Sequence, residues 1–165
     1  MRYLAMGVLL AAVAGSAHGQ AATWGAFEAG EGYGVGLRAA DGSQLMLKCD
    51  KPGRNEVYAL MLTEESLVPP STTYIIRPVA VRIDDKAPYD DNWRFYEHYV
   101  VAIDRGTERS FTRLLTDLGD AKAVELRLYP EVETRTPVTF RFDVAGAKEA
   151  LAYVFESCKD TNPIG

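Results

Sequence analysis

Histidine and cysteine are scarce in this chain, with two of each, and that scarcity removes several chemistries at once. Cys49 and Cys158 stand alone, without the CxxC spacing of zinc sites or thioredoxin-like redox centres. His18 falls in the apolar N-terminal stretch, which leaves His98 as the one imidazole of the remaining chain. No GxSxG elbow and no HExxH helix accompanies it, and a lone histidine in a strand pattern is more often structural than catalytic. Beyond the N-terminus no apolar run approaches the ~20 residues of a membrane helix. Internal repeats and low-complexity segments are lacking too. Clustered Lys and Arg are missing, and the formal net charge is −5, so nucleic acid and anionic membranes are disfavoured as partners. The glycines at 30, 32, 34 and 36 lead into GLRAADGSQLMLKC rather than into a helix, which is not the context of a phosphate-binding loop. No cofactor is expected.

What is present begins with a leader pattern. Arg2, an apolar run from Tyr3 to Ala14 and small residues near Ala17 and Gly19 follow the three-part grammar of a cleavable signal peptide. The expected division is a signal peptide over 1–19 and a single periplasmic α+β domain over 20–165. Losing Arg2 with the leader would lower the net charge from −5 to −6, which favours a basic or neutral partner. Export exposes both remaining cysteines to an oxidising compartment, so a Cys49–Cys158 disulfide is expected.

The hydrophobic pattern predicts two helices and about seven strands, joined mostly by hairpins, in an antiparallel sheet or sandwich with helices on one side. Val138, Phe140 and Phe142 alternate as a strand with one buried face, and Asp143 is placed to cap the following helix. In that helix Ala147, Ala150, Leu151, Val154, Phe155 and Cys158 form one apolar stripe, so it is tied by its last residue to Cys49. Gly146 suggests a close approach of helix and sheet. Phe111, Leu114, Leu115 and Leu118 mark the other helix, over 107–118, with Gly119 as its C′ residue. Gly32, Gly34 and Gly36 leave one strand face bare, suited to lie under an aromatic ring. Asp41-Gly42 signals a hairpin, Leu45, Leu47 and Cys49 share a face, and 56–63 reads as a central strand apolar on both sides. Pro78 calls for an edge, a bulge or a strand start. Residues 84–93 read as a loop and 95–103 as one long strand, while Val124, Leu126 and Leu128 form a half-buried strand.

Candidate function concentrates between Asp84 and Tyr99. Tyr89, Trp93, Phe95, Tyr96 and Tyr99 stand beside acidic residues, and aromatics with polar edges are enriched at protein interfaces. Tyr89, Trp93 and Tyr96, with Asp90 and Asp91, are therefore the candidate binding residues for another protein. Asp84, Asp85, Asp90, Asp91 and Asn92 gather oxygen ligands that suit calcium, but their spacing is not that of an EF-hand loop, and no metal is expected. Paired carboxylates for glycoside hydrolysis cannot be chosen among 23 acidic residues, and no catalytic residue is assigned.

Taken together, LMLKC (45–49), VRIDDKAP (81–88), FTRLLTDLGDA (111–121), VELRLYP (124–130) and FRFDVAGAKEALAYVFESC (140–158) resemble the layout of small exported bacterial proteins of the invasion-associated locus B type. They are also similar to periplasmic accessory proteins of type VI secretion systems. Either resemblance implies a non-enzymatic, β-rich periplasmic domain with a disulfide, and neither supplies a functional residue. The expected role is a non-enzymatic binding or accessory protein, with an inhibitor or immunity protein against a secreted or cell-wall-directed enzyme as the alternative.

Overall fold

A computed structural model describes residues 23–54, 56–130 and 136–164, so the expected leader lies outside the described residues. Nine strands form one antiparallel sheet: β1 (Gly25–Ala29), β2 (Gly32–Arg38), β3 (Gln44–Cys49), β4 (Tyr58–Leu62), β5 (Ile75–Ile83), β6 (Tyr89–Phe95), β7 (Tyr99–Ala102), β8 (Ala123–Leu128) and β9 (Val138–Asp143). Their spatial order is β1-β2-β3-β4-β7-β6-β5-β8-β9. The helices are α1 (Ser110–Leu118) and α2 (Ala147–Cys158). The expected α+β class holds, with nine strands rather than about seven, in a single sheet rather than a sandwich.

Strand alternation sorts the side chains. Val35, Leu37, Leu45, Leu47, Ala59, Met61, Val79, Val81, Phe95, Val100, Leu126 and Phe142 point to one inner face and are buried there together with the apolar stripes of both helices. α2 packs on β2 and β3, α1 on β5, β6 and β7, and the helices meet where Phe111 and Phe155 lie 6.2 Å apart. Each buried Leu or Phe contributes about 1.5–3 kcal/mol of transfer free energy, so the stripes, more than helix propensity, hold the helices down. The two ends of the sheet approach each other where Trp24 Nε1 donates to Val144 O at 3.4 Å.

The disulfide is present: Cys49 closes β3, Cys158 closes α2, and their Cα atoms are 6.1 Å apart across a sequence separation of 109. The glycine-rich stretch behaves as expected. A Cβ on Gly34 would sit 2.4 Å from the Phe27 ring and 2.9 Å from Leu47 O, so Phe27 of β1 lies across the bare face of β2.

Several local expectations are corrected. Residues 89–95 form a strand, not a loop, and the expected long strand 95–103 is two strands that turn back at Glu97-His98, where Tyr96 N–H donates to Tyr99 O at 2.9 Å. β4 is buried on one face only, with Ala59 and Met61 inside and Tyr58, Leu60 and Leu62 half-buried. Asp143 takes the Ala145 N–H at 3.1 Å and so braces the turn after β9 rather than the helix. Gly146 is the N-cap, and its φ of +83°, not a close approach, explains the glycine: an added Cβ would meet only Trp24, at 3.8 Å. α1 begins at Ser110, three residues later than expected, with Phe111 and Thr112 N–H groups held by the Asp104 carboxylate at 3.1 Å. Gly119 follows that helix but stays right-handed, with φ −57°. Pro78 sits inside β5, where Tyr129 N–H reaches its carbonyl at 3.2 Å just beyond the β8 pairing that starts at Val79. The missing N–H therefore falls where the ladder is already ending.

Candidate functional site

The five sequence candidates do not form one surface. β6 alternates, so Tyr89, Asp91 and Trp93 turn inward while Asp90 turns outward, and Tyr96 lies beyond the strand on the outer side. Trp93 is only 1% exposed and belongs to the core. Tyr89 Oη, Asp91 Oδ2 and Trp93 Nε1 are buried without a hydrogen-bond partner among the described residues. Arg113 of α1 stacks 4.5 Å from the centre of the Tyr89 ring. Burial and the neighbouring Asp91 charge push the Tyr89 hydroxyl pKa up, keeping it neutral. Trp93 is thereby removed from the candidate binding surface, while Tyr89 and Asp91 are half-buried on the inward side of β6.

The acidic stretch does not converge either. Asp84 accepts N–H groups from Lys122 and Ala123 at 2.9 and 2.8 Å, and these bonds hold its carboxyl below the usual range. Among the described residues no group of three or more His, Cys, Asp or Glu is placed to hold a metal. His98 lies in the β6–β7 turn, with Nδ1 3.2 Å from Glu65 O and Nε2 3.3 Å from Glu97.

What the fold does assemble is an apolar strip across the outer face, away from both helices. Register places Met46, Leu60, Val101, Arg94 and Ile76 in one row across five strands. Beside it runs a second row, Leu62, Tyr99, Tyr96 and Tyr74, and Phe27 extends the strip over β2. From β1 to β5 the strip crosses six inter-strand spacings, about 29 Å at ~4.8 Å each. Tyr96 and Tyr99 stack at 4.3 Å and 14°, and Tyr74 tilts against Tyr96 at 6.0 Å. The Arg94 guanidinium lies 4.4 Å from the Tyr74 ring centre and is fixed by a two-pronged pair with Glu108, both bonds 2.9 Å. That pairing raises the Arg94 pKa. At the near end Tyr58 Oη donates to Asp50, which also holds Lys48 at 2.9 Å. Burial, then the Asp50 charge, raises the Tyr58 pKa; burial, then Tyr99, raises that of Tyr96. Both stay neutral, and locked rings of this kind bring contact area at little entropic cost. Tyr74 and Ile76 are 39% and 47% exposed.

Sequence reading found Tyr96 and Tyr99 but missed Tyr58, Tyr74 and Ile76. The signal lay in β-pairing: these residues are distant in the chain and meet only once β4, β7, β6 and β5 are in register.

The arrangement defines an α+β fold whose one sheet is covered by helices on one face and carries a partly exposed aromatic strip on the other. Comparison of the chain with protein-family models, curated proteins and solved structures finds no match in any of the three. Among the described residues no helix is long and apolar enough to cross a membrane.

Proposed function

We propose that this chain is a non-catalytic, exported binding or accessory protein that recognises another protein through the outer-face strip. The carrying observation is the ~29 Å strip of tyrosine, leucine, methionine and isoleucine side chains on one sheet, partly exposed around buried Val101 and Arg94 and most exposed at Tyr74 and Ile76. Export is supported by the disulfide, a bond of oxidising compartments, and by the leader pattern, which together point to the periplasm. Glu64, Glu65 and Asp90 are exposed acids near this face, which favours a basic or neutral partner. The proposed interface thus differs from the expected 84–99 segment: it gathers residues from β3, β4, β7, β6 and β5, with Tyr96 retained and Trp93 removed.

The test is a photo-crosslinking amino acid placed at Ile76 or, as the control, at Tyr153, which is 40% exposed on α2 on the other side of the molecule. In periplasmic extract the expected result is a discrete protein adduct from Ile76 that is absent from Tyr153. Identical adduct patterns from the two positions, or none from Ile76, would overturn the reading.

A further inference from the structure

Despite the acidic composition, one end of the same outer face is cationic. Glu125 on β8 is 5% exposed, covered by guanidiniums from three adjacent strands. Arg127 gives both Nε and Nη2 to Oε1 at 2.7 Å, while Arg82 Nη2 and Arg141 Nε reach Oε2 at 2.8 and 2.7 Å. Those bonds pull the Glu125 pKa from its ordinary 4.5 down to about 2, the Arg141 bond contributing most, so the carboxylate stays charged at neutral pH. Three arginines then face one carboxylate. Among the described residues no second acid pairs with any of them, although the whole chain is −5. The Arg141 side chain is 74% exposed. Each guanidinium has five N–H donors, so Glu125 fixes the orientation of the forks while leaving donors for another acceptor.

Beside this cluster is a cavity of about 530 Å³, with Arg127, Thr139, Arg141 and Pro137 on one wall and the 39–41 turn on the other. It is a shallow depression open to solvent, with room for a small molecule that would stay partly in contact with water. Asp41 is the acid on the far wall, and its Oδ1 is engaged by the N–H and hydroxyl of Ser43 at 2.9 and 2.5 Å.

We propose that this cavity binds a small organic oxyanion, a carboxylate or phosphate held by Arg127 and Arg141 with the Thr139 hydroxyl between them, on guanidiniums preorganised by Glu125. Planar forks held in place match both oxyanion types with little ordering left to do on binding. The site is separate from the tyrosine strip and does not depend on it.

The test follows the Arg Nε–H resonances of Arg127 and Arg141 by NMR, with ionic strength held constant by chloride. Citrate, inorganic phosphate and a glutamate-rich peptide are titrated separately into the full chain. The expected result is saturable shifts with citrate or phosphate, weakened about tenfold or more in Arg141→Gln and unchanged in Arg54→Gln, on the turn after β3. Arg141 is on an edge strand and largely exposed, so the variant should fold; Thr139→Ala offers a second, uncharged probe whose affinity should also fall. Shifts that do not saturate, that persist unchanged in Arg141→Gln, or that arise only with the peptide would overturn the proposal.

Discussion

Reducing the Cys49–Cys158 bridge isolates the effect of the cross-link, because the side chains stay in place and only the bond is lost. Its magnitude follows from the loop it closes. A sequence separation of 109 lies near the ~100-residue loop for which loop-closure entropy gives about 4.7 kcal/mol. The native contacts around the bridge survive reduction in this account: Gly53 N–H still donates to Cys158 O at 2.7 Å, and Leu47, Val154 and Phe155 remain buried nearby. The loss should therefore arise in the unfolded ensemble. Urea unfolding with and without a phosphine reductant is expected to show a midpoint lower by about 2 M on reduction, with a steeper slope because the open chain exposes more surface. For a domain of this size about 4.7 kcal/mol corresponds to a melting temperature lower by roughly 10–20 °C. Coincident oxidised and reduced midpoints would refute the reasoning and show that the unfolded chain is already constrained.

Other outcomes follow from single positions. Trp93→Ala should cost about 3–5 kcal/mol in urea unfolding, and any loss of partner binding should track the unfolded fraction; a folded variant that fails to bind would return Trp93 to the interface. Gly32→Ala would place a Cβ 2.2 Å from Cys49 O, a backbone atom, whereas at Gly25 the nearest atom lies 3.8 Å away. The first change should destabilise by about 1–3 kcal/mol and the second by far less, read from thermal melts side by side. Glu125 has its pKa lowered on folding, so its contribution is present above the ordinary 4.5 and fades as pH falls toward about 2. Glu125→Gln should flatten the acid limb of the stability profile in that window; an unchanged limb would count against the three-arginine pairing.

The parts of the fold written in local pattern were legible. The α2 stripe, the alternation of Val124, Leu126 and Leu128 and the sulfur pairing match the structure because each depends on residues within one element or on a single pair, and Asp41-Gly42 does mark the β2–β3 reversal, in a loop longer than a two-residue turn. The region 84–103 was not legible for two reasons. β6 carries Asp90, Asp91 and Asn92, residues poor in β-propensity, and its strand state is imposed by β5 and β7 on either side. The turn at Glu97-His98 lacks the glycine or asparagine that marks a two-residue hairpin. That hidden reversal inverts the faces: Phe95 and Val100 both point inward, so alternation read through the turn misplaces the residues after it. Trp93 and Tyr96 precede the reversal and fall on opposite sides by the alternation of β6 itself, while Tyr99 and Val101 are moved to the outer face by it.

α2 shelters β2 and β3, yet it is the last helix along the chain. β2 and β3 are made well before the helix that covers them, so Leu45 and Leu47 lack that cover until α2 has been synthesised and docks. Contacts so remote in sequence form slowly. The Cys49 thiol likewise lacks its mate until Cys158, 109 positions later, is in place. The inner face of β2 and β3 and the sulfur bridge are thus completed together, by one late-made element.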